Sequence, residues 1–322
     1  MRTRIAIIAF LLISISGAMG QDPHFSQFYA NPLYINPAFA GNGICPSIHL
    51  NYRNQNSSSI GAYNTYGVSY DQYFDFLSGG IGIISTSDQQ GGLLYSNQSA
   101  AIYSYHLELD KNLTARFALQ GGYYYKGLDW NALVFPDQLE AGGSGTSQGN
   151  ESQPETISIQ GADFSAGVLL AGKNWYGGLA AHHLNRPKAS FFETFRLGIK
   201  YTVHGGYHFE PKKKYFSAPD YSFSPNFIVQ KQAKSLCFNY GFYANFESVV
   251  SGLWFRQDLN KGNSVILLIG FQTDNITFGY SYDWNISGIP GFSGRSHEIS
   301  VLLNFGCRAK NLENLIIKCP TF

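Results

Sequence analysis

The chain has little charge for its size. Of its 322 residues only 13% are Asp, Glu, Lys or Arg, against about a quarter in an average soluble domain. The formal net charge is only +1, which provides no overall field for holding nucleic acid. A water-soluble fold of this length needs more surface charge, so the composition argues against an ordinary soluble enzyme and against a nucleic-acid-binding protein.

Long apolar stretches are also missing after residue 20. The longest uninterrupted run covers residues 265–269, whereas a membrane-spanning helix needs about 20 apolar residues. Only helices and closed barrels satisfy their backbone hydrogen bonds inside lipid. The remaining classes are therefore a secreted β-protein and a membrane β-barrel.

Methionine occurs only in the first 20 residues, as Met1 and Met19. This segment has a basic start with Arg2 and Arg4, an apolar stretch, and small residues before position 21. These are the three parts of a secretory signal peptide. We expect residues 1–20 to be removed on export, so that the mature chain begins near Gln21.

Aromatic residues and glycine are abundant, with 22 Tyr, 25 Phe and 35 Gly. From Ser47 onward, apolar residues alternate with small or polar ones between turn signals, which is the pattern of β-strands. Fourteen such segments are predicted, at residues 47–53, 65–73, 79–88, 97–109, 114–126, 161–171, 175–185, 195–208, 223–231, 235–246, 249–258, 264–273, 275–284 and 296–306.

In several segments one face is apolar throughout. The pairs of faces in the fifth and eighth segments are Phe117, Leu119, Tyr123 and Tyr125 against Arg116, Ala118, Gln120 and Gly122, and Phe195, Leu197, Ile199, Tyr201 and Val203 against Arg196, Gly198, Lys200 and His204. Lipid outside and a polar interior produce this pattern, whereas the outward face of a β-sandwich is normally richer in charge. The prediction is an all-β, antiparallel transmembrane barrel of about 14 strands.

Connection lengths test this prediction independently, because bacterial barrels alternate short periplasmic turns with longer external loops. Connections after even-numbered segments are mostly short, and those after odd-numbered segments, such as 89–96 and 127–160, are mostly long. Two connections break the rule, a long one at 209–222 and a short one at 232–234. We expect the short connections to be periplasmic.

The N-terminal segment, residues 21–46, has no strand period. It contains Asp22-Pro23, Asn31-Pro32 and Asn36-Pro37, which are turn signals, and several aromatic residues that need cover. It is either a strap across the periplasmic base or a plug inside the lumen, since fourteen strands leave more interior space than eight. The Gly/Ser-rich part of residues 127–160 is either a contact site or a tolerated insertion.

No motif for catalysis is present. We find no G-x-S-x-G nucleophile sequence, and no carboxylate cluster stands out. The eight histidines are interpreted as barrel-lining or girdle residues and not as metal ligands, and neighbours such as His182 and His183 should face opposite sides of a strand. No enzymatic activity, cofactor or metal is therefore predicted.

Four cysteines occur in a compartment that permits disulfides. Cys45 precedes the first segment and Cys307 follows the last, so barrel closure would bring them together at the periplasmic end. A bridge among Cys45, Cys307 and Cys319 is therefore geometrically possible, and the sequence leaves its pairing open. Cys237 begins a strand at the opposite rim and should remain unpaired.

Sequence matches run along the whole mature chain. The residues that carry them are Gln21, Asp22, Pro23, Phe25, Ser26, Gln27, Asn31, Pro32, Asn36, Pro37 and Gly41 at the start, Asn51, Tyr52, Arg53 and Gln55, then Asp129, Trp130, Phe135, Pro136, Asp137 and Gln138, and finally Ser296, His297 and Glu298. In this order they resemble the PorP/SprF family of Bacteroidota outer-membrane proteins. The insert at residues 141–153 has no counterpart in that resemblance.

The resemblance implies a non-enzymatic outer-membrane barrel of the type IX secretion system, which supports export or surface anchoring of cargo such as gliding adhesins. The implied partners are outer-membrane lipid, the C-terminal domain of a secreted adhesin or other cargo, and secretion-system components in the periplasm. Candidate docking elements there are Lys212, Lys213 and Lys214 and the tail, residues 307–322. The expected division is a signal peptide (1–20), an N-terminal segment (21–46), a barrel (47–306) and this tail. The alternative is a channel or transporter with a plugged lumen.

Overall fold

The computed structural model describes residues 22–43, 45–55, 63–133, 157–191, 195–211, 221–259, 262–287 and 295–306. Within these ranges fourteen strands form a closed antiparallel barrel, in which β1 pairs with β14. The strands are β1 (Ser47–Gln55), β2 (Tyr63–Phe74), β3 (Gly79–Gln90), β4 (Leu94–Asp110), β5 (Leu113–Leu128), β6 (Ser158–Ala171), β7 (Trp175–His182), β8 (Lys200–Tyr207), β9 (Tyr221–Gln232), β10 (Ser235–Phe246), β11 (Val249–Asp258), β12 (Gly262–Gln272), β13 (Ile276–Asn285) and β14 (Arg295–Asn304). The predicted fold class and strand number are confirmed.

The two faces of the wall differ as the alternation predicts. In β5, Phe117 and Leu119 are exposed on the outside, while Arg116 and Gln120 are buried inside. Exposed large apolar side chains recur on most strands around the ring. Transfer of a fully exposed side chain of this kind from water to hydrocarbon is favourable by about 1.5–3 kcal/mol, and these side chains gain the part of it that matches their exposed fraction. The outer surface of the barrel is therefore suited to lipid.

The predicted faces are wrong for residues 195–199. This segment is not part of β8, and Leu197 is buried whereas Arg196 is exposed. Its backbone pairs with its own loop, through a bridge between Lys188 and Arg196 and a bond of 2.9 Å from the Leu197 N–H to the Pro187 carbonyl. The loop, and not the barrel wall, determines which side chains are buried here. The alternation of side chains between the two faces of a strand therefore does not apply to residues 195–199.

Two rims are distinguished by their connections. The short-turn rim carries the connections after even-numbered strands, which are short, as at residues 111–112 and 247–248, except for the long one at 208–220. The long-loop rim carries those after odd-numbered strands, which include the longest connection, 129–157, but also short ones at 91–93, 233–234 and 259–261. The predicted long connection at residues 89–96 is wrong, because β3 continues to Gln90 and β4 begins at Leu94. Its polar residues had suggested a loop, but a strand that projects beyond the lipid also exposes polar side chains to water.

The wall is uneven in height. β4 and β5 have 17 and 16 residues, whereas β7 and β8 have 8 each. A transmembrane strand needs about 9–11 residues. The wall at β7 and β8 is therefore low, and it stands beside much longer strands.

The cysteines divide into two kinds. Cys45 is disulfide-bonded, and Cys237 is a buried thiol. Barrel closure places Ser47 opposite Asn304, so the segments that precede β1 and follow β14 start from neighbouring positions. Cys307 and Cys319 lie outside the described residues. Among the described helices, none has both the length and the apolar character required to cross a bilayer.

Candidate functional site

Residues 22–43 form a plug inside the barrel, with side chains that contact strands around the ring. Two 3₁₀ turns, Phe28–Ala30 and Pro37–Phe39, flank a one-turn α-helix, Pro32–Ile35. Proline begins the helix and the second turn, where its missing N–H costs nothing. Leu33 and Phe39 are fully buried. The plug therefore replaces the hydrophobic core that a barrel of this width cannot make from its own side chains.

The plug runs between the two rims. At the long-loop rim the Asp22 N–H bonds the side chain of Gln232, the last residue of β9, at 3.0 Å. At the short-turn rim the Gly41 N–H bonds the Asp71 carboxylate at 2.8 Å. Gly41 has a φ of 71° and packs so closely that an added Cβ would lie 2.5 Å from the Gly80 Cα. Of the two expected arrangements, the segment has the lumenal one.

Two clusters of charged side chains hold the plug in the barrel. The first, named the inner cluster, comprises Arg53, Arg256, Asp283 and Glu298 of the barrel wall. Arg53 contacts Asp283 at 2.9 Å and Glu298 at 3.3 Å, and Arg256 contacts Asp283 at 3.1 Å. All four side chains are buried, and they come from β1, β11, β13 and β14. Closure of the ring is what brings β1 beside β14.

Ser26 places the plug in the middle of the inner cluster. Its N–H donates to the Glu298 carboxylate at 2.6 Å and its hydroxyl donates to Asp283 at 2.5 Å. The Gln27 N–H donates to the same glutamate at 3.2 Å, and Arg256 donates to the Phe25 carbonyl at 3.0 Å. Buried charges are costly unless they are paired and hydrogen-bonded. The plug therefore stabilises the inner cluster by supplying hydrogen bonds to its charges, and the same bonds hold the plug in place.

The second cluster, named the rim cluster, comprises Asp22, Asp163, His183 and Lys200. His183 Nε2 lies 2.9 Å from the Asp22 carboxylate and its Nδ1 lies 3.0 Å from Asp163. Lys200 Nζ lies 2.8 Å from Asp22 and 4.4 Å from the centre of the Tyr34 ring. Both ring nitrogens of His183 thus face carboxylates, which is the arrangement of a doubly protonated imidazolium.

The electrostatics of the rim cluster agree with this geometry. Burial alone would lower the pKa of His183, but the two carboxylates raise this pKa to about 9. Burial alone would raise the pKa of Asp22, but the charges of His183 and Lys200 hold it well below its usual value. At neutral pH both partners are therefore charged.

His183 also corrects an expectation about side-chain direction. His182 and His183 do not face opposite sides of the wall, since both are buried and their rings are 6.5 Å apart. β7 ends at His182, and His183 has a left-handed φ of 60°. This conformation turns the His183 ring back toward the plug, because the alternation of a strand ends with the strand.

The motif residues of the sequence separate into three groups. The first group lies in the lumen, where Ser26 and Gln27 meet Glu298 beside Arg53, Asp22 joins the rim cluster and Gly41 contacts Asp71 at the short-turn rim. The plug residues of this group are Asp22, Pro23, Phe25, Ser26, Gln27, Asn31, Pro32, Asn36, Pro37 and Gly41. Asn51 and Ser296 are buried in the wall, whereas Tyr52, Gln55 and His297 are not, and Asp129 caps the turn that contains Trp130. Gln21, Phe135, Pro136, Asp137, Gln138, Lys212, Lys213 and Lys214 lie outside the described residues.

Sequence reasoning names Arg53 and Glu298 of the inner cluster but only Asp22 of the rim cluster as site residues, and it interprets His183 only as a barrel-lining or girdle histidine. Arg256 and Asp283 complete the inner cluster, and Asp163 and Lys200 complete the rim cluster. The available signal was a charged residue at an inward strand position, such as Lys200 opposite the outward Tyr201. Within the described ranges no group of three His, Cys, Asp or Glu residues is arranged to hold a metal ion.

Comparison with known proteins gives one family. The model of the family described as "Type IX secretion system membrane protein PorP/SprF" matches residues 18–303. No curated protein matches the chain.

Several solved barrels are similar to the chain in structure. The toluene transporter TodX of Pseudomonas putida has 9% identity and a TM-score of 0.47, covering 84% of this chain and 92% of its own. Omp33 of Acinetobacter baumannii has 7% identity and a TM-score of 0.44, covering 82% and 100%. The KdgM porin has 9% identity and a TM-score of 0.36, covering 80% and 99%. Similarity this low supports no inference about function.

Proposed function

The chain belongs to the PorP/SprF family of type IX secretion system membrane proteins, and from this premise we propose that it holds a secreted protein at the cell surface without catalysing a reaction. The observation that supports this proposal is the plug. It fills the lumen and is anchored at both rims and at the inner cluster. A barrel filled in this way offers its rims, and not its interior, as contact surfaces.

The barrel lies in the outer membrane, with its apolar face in lipid. We assign the short-turn rim to the periplasm, because short turns are periplasmic in bacterial barrels. The long-loop rim then faces the outside, and Asp22, the first described residue of the plug, lies toward the external side.

The two rims would serve different partners. We assign the C-terminal domain of a secreted adhesin or other cargo, including cargo for gliding motility, to the long-loop rim. Secretion-system components in the periplasm would contact the connection with Lys212, Lys213 and Lys214 and the C-terminal tail. These basic and terminal segments lie outside the described residues.

Removing residues 134–156, between β5 and β6, tests the proposal. This deletion spares the turn Trp130–Ala132 and all of β6, so the barrel should still assemble and show the changed gel mobility of an unheated barrel. We expect a type IX adhesin to move from the cells to the medium, measured as its cell-bound fraction. The matched control shortens another connection of the same rim, residues 288–294. An unchanged cell-bound fraction in the first variant would argue against this insert as the contact.

A further inference from the structure

The low wall at β7 leaves part of β6 without a neighbour. The ladder between β6 and β7 covers only Ala166 to Ala171, paired with Ala181 to Tyr176. On its other side β6 pairs with β5 along its whole length, from Ser158 to Ala171. The upper half of β6, residues 158–165, therefore has a paired strand on the β5 side only, within the residues that the structure describes.

Hydrogen bonds show which residues point toward this open edge. The Phe164 N–H donates to Asn185 Oδ1 at 3.2 Å, and the Phe164 carbonyl accepts from the Leu184 N–H at 2.8 Å. The Ala162 carbonyl accepts from Asn185 Nδ2 at 2.6 Å. Leu184 and Asn185 lie on the β7 side, so the backbone groups of Phe164 and Ala162 point away from β5.

The same direction extends to the end of the strand. Pairing with β5 continues without a register shift, so peptide groups keep alternating between the two sides. The Ala162 N–H and both backbone groups of Gln160 therefore point to the open edge. Within the part of the chain that the structure describes, these three groups have no backbone partner on that side.

The side chain of Asn185 indicates which kind of chemical group binds this edge. Its side-chain amide accepts one bond from β6 and donates another, as the peptide group of a neighbouring strand would do. The amide covers only the positions of Ala162 and Phe164. The remaining groups offer the same alternation of donor and acceptor to a longer peptide.

The rim cluster keeps the edge open. His183 leaves the strand direction with its left-handed φ of 60°, and Asp163 of β6 and Asp22 of the plug hold its ring. The ladder between β6 and β7 therefore ends at this point, and among the described residues that follow, the Leu184 N–H and the Asn185 side chain bond the β6 backbone. Three cations of the following loop, Arg186, Lys188 and Arg196, are exposed.

We propose that the upper edge of β6 binds an extended segment of the secreted protein, which adds to the barrel wall as a further β-strand. This inference rests on the proposed function and identifies its contact. Unpaired strand edges are templates for strand addition, in which backbone hydrogen bonds supply the affinity. The exposed cations favour a segment that carries acidic residues.

Proline substitution tests the edge selectively. Gln160→Pro combined with Ala162→Pro removes two N–H groups from the edge and none from the ladder with β5, and edge strands tolerate proline. The matched control, Gln160→Ala, loses the side chain but keeps the N–H. The probe is a fluorescent protein fused to the C-terminal domain of a type IX cargo, titrated against the purified full-length barrel in detergent.

The loss of two edge hydrogen bonds should weaken probe binding about tenfold or more, with binding to the alanine control unchanged. Equal binding by the proline variant and the wild type would overturn the edge proposal. The proposed function would still stand if deletion of the whole barrel released the probe fusion from cells. If that deletion left the fusion cell-bound, the proposed function itself would be wrong.

A second measurement covers the case in which the proline variant does not assemble. The full-length barrel with Gln160→Cys is mixed with probes that each carry a single cysteine at a different position of their C-terminal segment, and disulfide cross-links are formed by mild oxidation. Strand addition predicts disulfides at alternate positions, because side chains of a strand alternate between its faces. An absence of cross-links, or cross-links without this period, would contradict the proposal.

Discussion

The inner cluster and the rim cluster hold the same plug by different chemistry. Two guanidinium groups and two carboxylates form the inner cluster, where β1, β11, β13 and β14 are all of membrane-spanning length. In the rim cluster the cations are the imidazole of His183 and the ammonium group of Lys200, which lie beside the two shortest strands, β7 and β8. Arginine stays charged at any accessible pH, whereas histidine titrates near neutrality. The comparison indicates one permanent anchor and one that depends on pH.

Breaking the inner cluster should have the largest effect. Arg53→Met leaves Glu298 buried without an arginine partner, and it leaves Asp283 with Arg256 as its remaining cation. Removing one member of a buried ion pair costs about 3–5 kcal/mol. We expect the free energy of unfolding to fall by that amount in urea titrations of the detergent-solubilised barrel. Tryptophan fluorescence is a suitable reporter, since the Trp254 ring lies 4.7 Å from Phe28 of the plug. Arg196→Met, at an exposed loop position, is the control, and equal stability of the two variants would remove the inner cluster as the main anchor.

Titrating the rim cluster should have a somewhat smaller effect. Because the pKa of His183 is raised from 6.5 to about 9, its contribution is complete below pH 6.5 and is lost as the pH rises through about 9. The shift corresponds to about 3 kcal/mol. The pKa of Asp22 is lowered, so its contribution is complete above its ordinary pKa and is lost only in stronger acid.

A spin label at Pro23→Cys reports this titration. Its mobility should be low at pH 6 and increase toward pH 10, while the inner cluster still holds Ser26. In a second protein that also carries His183→Gln, the label should be mobile at both pH values. A label that stays immobile at pH 10 in the first protein would show that His183 does not hold this end of the plug.

Displacing the other end of the plug should have the smallest effect. A Cβ at Gly80 would lie 2.1 Å from the Ala40 carbonyl oxygen, whereas a Cβ at Gly161 would meet nothing within 4 Å. Overpacking of this kind costs about 1–3 kcal/mol. Gly80→Ala should therefore increase the conductance of the barrel in a planar bilayer, and Gly161→Ala should not. A steady, selective conductance of the wild type would instead favour the channel alternative.

The strand positions were predictable because lipid and lumen impose opposite demands on successive residues. All fourteen predicted segments overlap an observed strand, and for β10 and β11 the bounds agree. Prediction failed where water replaced lipid as the outer solvent, as at residues 89–96. It failed again where the loop around Leu197 determined which side chains were buried.

The sequence alone determined the barrel and its strand number through alternating polarity. Its aromatic residues also determined that the N-terminal segment, which has no strand period, must be covered by the rest of the protein. Only the tertiary structure decided which charges meet. Arg53 and Glu298 are 245 positions apart in the chain, and they become neighbours because closure of the ring pairs β1 with β14. Period-two patterns record which side of a wall a residue faces. They carry no information about register across the ring or about a single left-handed residue such as His183, and those two features determine the clusters and the open edge.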